Sequence, residues 1–148
     1  MGTVAFHTAV ADKLGYTCRL VRKAWRSGQR VVVTGSTEQL ASLDSLLWTF
    51  DKDEFLPHAR LLAGRPLADH LGRTPVLLAD VAADVAAEAG PAEVLINLGP
   101  APVEGALAYA KVFEVVADSA DEIQSGRQRW RGYLAAGITP TNHVASAA

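Results

Sequence analysis

The sequence predicts an α/β fold, a single domain in which helices cover a mostly parallel sheet. Three observations carry that prediction. In residues 22–34 a helical apolar period stops at Gly28 and a β-branched run starts at once. Within that run Val31, Val32 and Val33 are apolar at every position, the pattern of a strand covered on both faces. Strand-like and helix-like stretches then alternate through a chain of 148 residues, long enough to bury a core of its own. The domain is expected to occupy residues 1–138, with 139–148 as a frayed C-terminal tail.

In chain order, Thr3, Val4, Ala5, Phe6 and His7 read as a short strand. Asp12 is a fitting N-cap for a helix to Arg26, whose inner face carries Leu14, Cys18, Val21 and Trp25. Gly28 suits the left-handed position that ends it, and Lys23 and Arg26 complement the negative end of the helix dipole. After the strand at 30–34, Ser36 and Gln39 form a capping box for a second helix, with Leu40, Leu43 and Leu47 inward and its end near Trp48. Asp51, Asp53 and Glu54 read as a solvated turn leading to a short extended segment at 55–58. Residues 59–74 read as a surface loop. Strands are expected at 76–79 and 94–98, the second closed by Gly99 and Pro100, with a short alanine-rich helix at 81–89 between them. A helix over about 103–110, a β-prone run at 112–116 and a last helix from a capping box at Ser119 and Glu122 to about Ala136 complete the chain.

Composition excludes several classes of function. Formal net charge is −2, so the domain as a whole lacks the basic footprint of a protein that grips nucleic-acid phosphates. Cys18 is the single cysteine, which rules out a disulfide framework within the chain and fits a reducing cytoplasm. No apolar run approaches the roughly 20 residues needed to cross a bilayer. There is no Gly-x-Gly-x-x-Gly after the first strand, no phosphate-binding loop ending in Lys-Ser or Lys-Thr, and no Gly-x-Ser-x-Gly elbow. His7, His58, His70 and His143 stand at no metal-ligand spacing. Asp51, Asp53 and Glu54 fail as a calcium loop, because the sixth position is Leu56 and the twelfth Leu62. Asp80 and Asp84, four apart, lack an orienting partner for acid–base work. No catalytic residue, cofactor or metal is expected.

The last helix stands out. At about 100° per residue, Ile123, Arg127, Trp130, Arg131 and Leu134 fall within an arc of roughly 100°. Two guanidiniums therefore border an indole, which suits a ligand carrying an aromatic group and a carboxylate, such as the end of an acidic peptide. The other reading is that Trp130 packs in the core while the arginines lay their stems over apolar surface. An indole fully enclosed, with both guanidiniums tied to internal acids, would leave no site. Arg129 and Gln128 are expected to point elsewhere, into solvent.

Several stretches together resemble a known family. They are Arg22-Lys23-Ala24-Trp25-Arg26-Ser27-Gly28 with Arg30-Val31-Val32-Val33, Leu43-Asp44 with Leu47-Trp48, and Phe55-Leu56-Pro57-His58. The last is Arg127-Gln128-Arg129-Trp130-Arg131-Gly132-Tyr133 with Ala136-Gly137. In that order, and nearly end to end apart from residues 60–92, they resemble the chi subunit of bacterial DNA polymerase III holoenzyme. The resemblance implies a three-layer α/β/α fold with a mostly parallel, mixed sheet, Rossmann-like without a nucleotide site. It implies a non-catalytic accessory subunit in DNA replication that binds the acidic C-terminal tail of single-stranded DNA-binding protein. By position, Arg127 and Arg131 would hold carboxylates and Trp130 would wall the terminal aromatic ring. Trp48 and Phe55 match the surface used for the psi subunit, and so the clamp loader, or for an accessory helicase. DNA would then be met only indirectly, in the cytoplasm and away from membranes. Two other functions compete: a small nucleotide- or phosphate-binding enzyme using the strand ends near Gly35 and Gly99, and direct single-strand binding through Trp130 and the arginines.

Overall fold

The computed structural model describes residues 2–50, 55–61, 74–80 and 92–145. Its elements are β1 (Thr3–Val10), α1 (Lys13–Arg26), β2 (Val31–Gly35), α2 (Thr37–Thr49), β3 (His58–Leu61), β4 (Val76–Asp80), β5 (Val94–Asn97), β6 (Lys111–Ala117), α3 (Ala120–Ala135) and β7 (Thr141–Val144). The strands form one sheet in the order β3-β4-β2-β5-β6-β1-β7, and every pairing is parallel. That is further toward parallel than the mixed sheet expected.

A parallel sheet must be covered on both faces, and alternate residues of each strand divide between two cores. On one face Val31, Val33, Ile96 and Val115 pack with Cys18 and Val21 of α1 and with Leu40, Leu43 and Leu47 of α2. On the other, Val32, Leu95, Val112, Val116 and Phe6 pack with Tyr133 of α3 and half-buried Trp130. Each fully buried aliphatic side chain in these layers contributes roughly 1.5–3 kcal/mol. The helix ends follow their sequence signals. Asp12 accepts from the Gly15 amide, Ser36 and Gln39 close a reciprocal box, and Gly28 and Gly137 adopt φ of 77° and 86° just past α1 and α3.

Residue Ala9 has φ 57°, and the register of β1 against β6 shifts between His7 and Val10. The extra residue turns Val10 to the α1 side, where it is buried, and the left-handed alanine costs on the order of 1–2 kcal/mol.

Four expectations are corrected. Residues 58–61 are the edge strand β3, not part of a loop: Ala59 and Leu61 point inward, too short an alternation to stand out from sequence. The helix expected at 103–110 is a single 3-10 turn, Ala106–Ala108, because Gly105 enters it left-handed at φ 78°. The tail is not frayed through 141–144, which pairs with β1 as the edge strand β7. All four of its residues are exposed, so backbone hydrogen bonds rather than an apolar stripe hold it, and no hydrophobic pattern betrays it. Asp80 is the last residue of the strand β4 and is not helical, as a shared helical face would require. The helix at 81–89, the acidic turn at 51–54, His70 and Asp84 lie outside the described residues.

Cys18 is fully buried, and burial, helped by the negative charge of Asp12, pushes its thiol up to about 11. An aromatic disulfide reagent at pH 8 is therefore expected to label the native chain only at its unfolding rate, and the urea-unfolded chain at once. Rapid labelling without denaturant would contradict this placement.

Candidate functional site

Helix α3 begins at Ser119, whose hydroxyl accepts from the Glu122 amide. The expected box is only half formed. Instead of turning back to the cap, the Glu122 carboxylate accepts from the Lys13 ammonium at 2.8 Å and from the Ala117 amide at 3.0 Å. Burial works to raise its pKa, but those two hydrogen bonds and the Lys13 charge hold it below the ordinary value. The pair ties the start of α3 to α1 across the sheet end.

Arg129 is not solvated as expected but is the most buried arginine of the helix, 3% exposed. Its Nε donates to Glu114 Oε1 at 2.8 Å, and its Nη1 donates to the carbonyl of Pro100 and to Ser125. Glu114, fully buried on β6, also accepts from Asn97 Nδ2 at 2.9 Å and from the Tyr133 hydroxyl at 2.7 Å. Burial, then the neighbouring carboxylate, pushes the Tyr133 phenol far above its usual value, so it stays a donor. This network fixes the rotation of α3 about its axis. The sequence signal for it was a lone Glu in an otherwise apolar strand, which requires a buried partner.

With that rotation set, Ile123, Gly126, Arg127 and Trp130 face a groove of about 510 Å³ floored by Phe6 and Val116 and edged by Thr8, Asn142 and Val144. Gly126 makes the close approach possible, since a Cβ there would lie 3.0 Å from Val116 Cγ2. One side of the Trp130 indole covers Phe6, ring centres 5.0 Å apart, and the rest faces the groove. Arg127 is exposed at the rim with no ion pair to a described carboxylate, and Asp118 adds one negative charge to the lining. Arg131 is exposed one turn along and does not line the groove. The structure thus brings Arg127 and Trp130 together and leaves Arg131 beside them. It also supplies members that helical periodicity alone does not indicate: Phe6, Val116 and the β7 residues. Only Gly126, a glycine inside a predicted helix, hinted at a close packing partner.

The two residues of the second expected surface also meet. Trp48, at the end of α2, and Phe55 are 57% and 64% exposed with ring centres 5.6 Å apart, and His58 lies 4.7 Å from Trp48. The buried His58 ring is held by Nδ1 against the Leu56 carbonyl at 2.8 Å. Its Nε2 lies 3.0 Å from Asp44 Oδ1, at ion-pair distance though not aligned as a hydrogen bond. The Trp48 and Phe55 rings are therefore both at the surface rather than in the core.

At the carboxyl ends of β2 and β5, where the competing nucleotide reading would place a phosphate, the chain fills the space itself. The Lys13 ammonium and Gln39 amide both donate to the Leu98 carbonyl. A Cβ on Gly35 would lie 2.8 Å from Gln39 Oε1 and 3.2 Å from Leu98 Cβ. The α2 N-terminus is already occupied by its own capping box.

His7 is buried, and burial, then the charges of His143 and Lys23, lower its pKa from 6.5 to about 4. The native ring stays neutral where the unfolded ring takes a proton. Its contribution to stability is therefore full above pH 6.5 and is lost as pH falls toward 4. The urea midpoint should drop between pH 7.5 and 5, and His7→Phe should flatten that drop.

The family profile described as "DNA polymerase III chi subunit, HolC" matches residues 1–141. DNA polymerase III subunit chi of Pseudomonas aeruginosa is 31% identical over 134 residues, covering 88% of this chain and 85% of that protein. The subunit of the same name from Escherichia coli is 30% identical over 122 residues, covering 82% and 78%. Among solved structures the Hef helicase domain of Pyrococcus furiosus superposes with TM-score 0.58 at 13% identity, over 78% of this chain and 28% of that one. At that identity the likeness speaks for the α/β fold alone.

Proposed function

The chain belongs to the DNA polymerase III chi subunit family, and from that premise we propose that it is a non-catalytic accessory subunit that captures the acidic C-terminal tail of single-stranded DNA-binding protein in the α3 groove. Membership supports an accessory role in replication; the groove supplies the chemistry. The observation that carries the proposal is an indole open on one side beside a guanidinium with no ion pair to a described carboxylate, over an apolar floor. The terminal aromatic ring packs on Trp130 and Phe6, and the terminal carboxylate takes the forked donors of Arg127. Arg131, one turn on, meets the acidic residues upstream of the ring. Asp118, also in the lining, repels the ligand's carboxylate and so favours its placement at Arg127.

The test is calorimetric titration of the full chain with an acidic peptide ending in an aromatic residue, in free-acid and C-terminally amidated forms. A hydrogen bond to a charged group is worth about 1.5–3 kcal/mol, so amidation should weaken binding at least about tenfold. Equal affinity of both forms, or no binding of either, overturns the assignment.

We further propose that Trp48 and Phe55 form a second contact surface, for a psi subunit leading to the clamp loader or for an accessory helicase. Trp48→Ala with Phe55→Ala should abolish co-elution with that partner while leaving the peptide titration unchanged; loss of both would mean that the fold, not the surface, had been damaged. The chain then bridges protein-coated single strands to the polymerase in the cytoplasm. No helix among the described residues is long and apolar enough to cross a membrane.

A further inference from the structure

Across the sheet from the α3 groove, on the α1 side, lies a second concavity of about 520 Å³ that the proposed function does not use. Its walls are α1, the adjoining ends of β6 and β1, and the edge strand β7. Arg19 and Lys23 enter it from α1 and Lys111 from β6, all three exposed, and no Asp or Glu is among its described lining residues. The ring of Tyr16 and the exposed ring of His143 face the same space, with Phe113 behind them.

At the bottom is His7, 8% exposed. Its Nδ1 lies 2.6 Å from the Tyr16 hydroxyl, and its Nε2 is buried with no hydrogen-bond partner. Burial raises the pKa of the Tyr16 phenol, so the hydroxyl keeps its proton, and it pairs with Nδ1 as donor or as acceptor according to the ring's tautomer. In the tautomer in which the hydroxyl donates, the ring proton of neutral His7 sits on Nε2 without an acceptor. A buried donor without an acceptor is costly, and the surroundings favour an anionic one.

We propose that this concavity binds a nucleotide unit, its phosphate held by Lys23, Lys111 and Arg19 beside the unpartnered His7 Nε2 and its base laid against the Tyr16 and His143 rings. Clustered cations beside aromatic faces are the combination that holds a phosphate and a base together without reading sequence. The net charge of −2 belongs to the whole surface, whereas the lining of this one concavity is positive. The shared chemistry, a phosphate ester on a nucleoside, is offered by a free nucleotide and by a single DNA strand, and the test separates them.

The experiment is an NMR titration of the full chain at about 50 mM salt with thymidine 5′-monophosphate, inorganic phosphate, and a thymidine oligomer of about twelve nucleotides. The monophosphate and the oligomer should shift the signals of His7, Tyr16 and His143, and inorganic phosphate should bind at least about tenfold more weakly than the monophosphate, because stacking is absent. Lys23→Ala with Lys111→Ala, both exposed and so harmless to folding, should cost at least about tenfold. Arg127→Ala, outside this lining, should leave the nucleotide shifts and affinity as they are while weakening the acidic peptide, which keeps this site distinct from the peptide groove. An oligomer that binds more tightly than the monophosphate, and more steeply with falling salt, identifies the strand as the source; equal affinity identifies the free nucleotide. No shift with any of the three at about 5 mM, an affinity indifferent to the lysine pair, or inorganic phosphate binding as well as the monophosphate would overturn the proposal.

Discussion

Glu114→Ala is expected to destabilise the fold by about 3–5 kcal/mol, a large part of the roughly 5–15 kcal/mol that holds a domain of this size together. The side chain is fully buried and, among the described residues, is the single counter-charge in contact with Arg129, itself 3% exposed. Removing it strands a guanidinium in the interior and leaves Asn97 Nδ2 and the Tyr133 hydroxyl each short of an acceptor. The cost is thus mostly the unpaired charge left behind, not the worth of the ion pair. That distinction is measurable. Glu114→Leu with Arg129→Met replaces both charges by apolar groups of similar size, and a buried pair exchanged in this way is often neutral or better. Urea unfolding should therefore place the double variant nearer the parent than either single one. If the effects of Arg129→Met and Glu114→Leu instead add in the double variant, the two side chains are not coupled and the network is misassigned. Peptide affinity is expected to suffer in the double variant even where stability recovers, because the apolar pair no longer sets the rotation that turns Trp130 to the groove.

That network also marks the limit of what sequence periodicity reveals. The fold was legible because its signals are local. Val31 to Val33 lacks a polar position, Ser36 and Gln39 sit at capping spacing, and Gly28 and Gly137 stand where helices stop. The assignment of Arg127 and Trp130 to one side of α3 was legible for the same reason, since a helix fixes which residues are neighbours. What escaped is non-local. Arg129 looks like any solvated arginine until Glu114, fifteen residues away on another element, is placed beneath it. The floor of the groove comes from Phe6 and Val116 on two strands, and its edge from β7, whose four exposed residues carry no apolar period. The packing of His7 against His143 comes from the pairing of β1 with β7, a register that neither segment encodes alone.

Trp130→Ala should weaken the aromatic-ended acidic peptide about a hundredfold, the range of a buried aromatic anchor at the centre of an interface. The indole also covers Phe6, so some stability is expected to go with it, and the peptide result needs a variant that spares the core. Ile123 provides one. It is 37% exposed, lines the groove, and belongs to neither packed cluster. Ile123→Glu places a negative charge where the ligand's carboxylates arrive, so binding should fall at least about tenfold while the urea midpoint stays put. Arg127→Ala should cost about tenfold and flatten the dependence on salt, since it removes the charge at the rim. Arg131→Ala should cost less than Arg127→Ala, because Arg131 stands outside the lining and meets only the peptide's flexible upstream acids. The order Trp130, Arg127, Arg131 follows from depth in the groove, whereas helical spacing alone makes the two arginines equivalent. An Arg131 effect equal to that of Arg127 would show the peptide lying along the helix rather than in the hollow beside it, and indifference to Ile123→Glu would place the peptide elsewhere altogether.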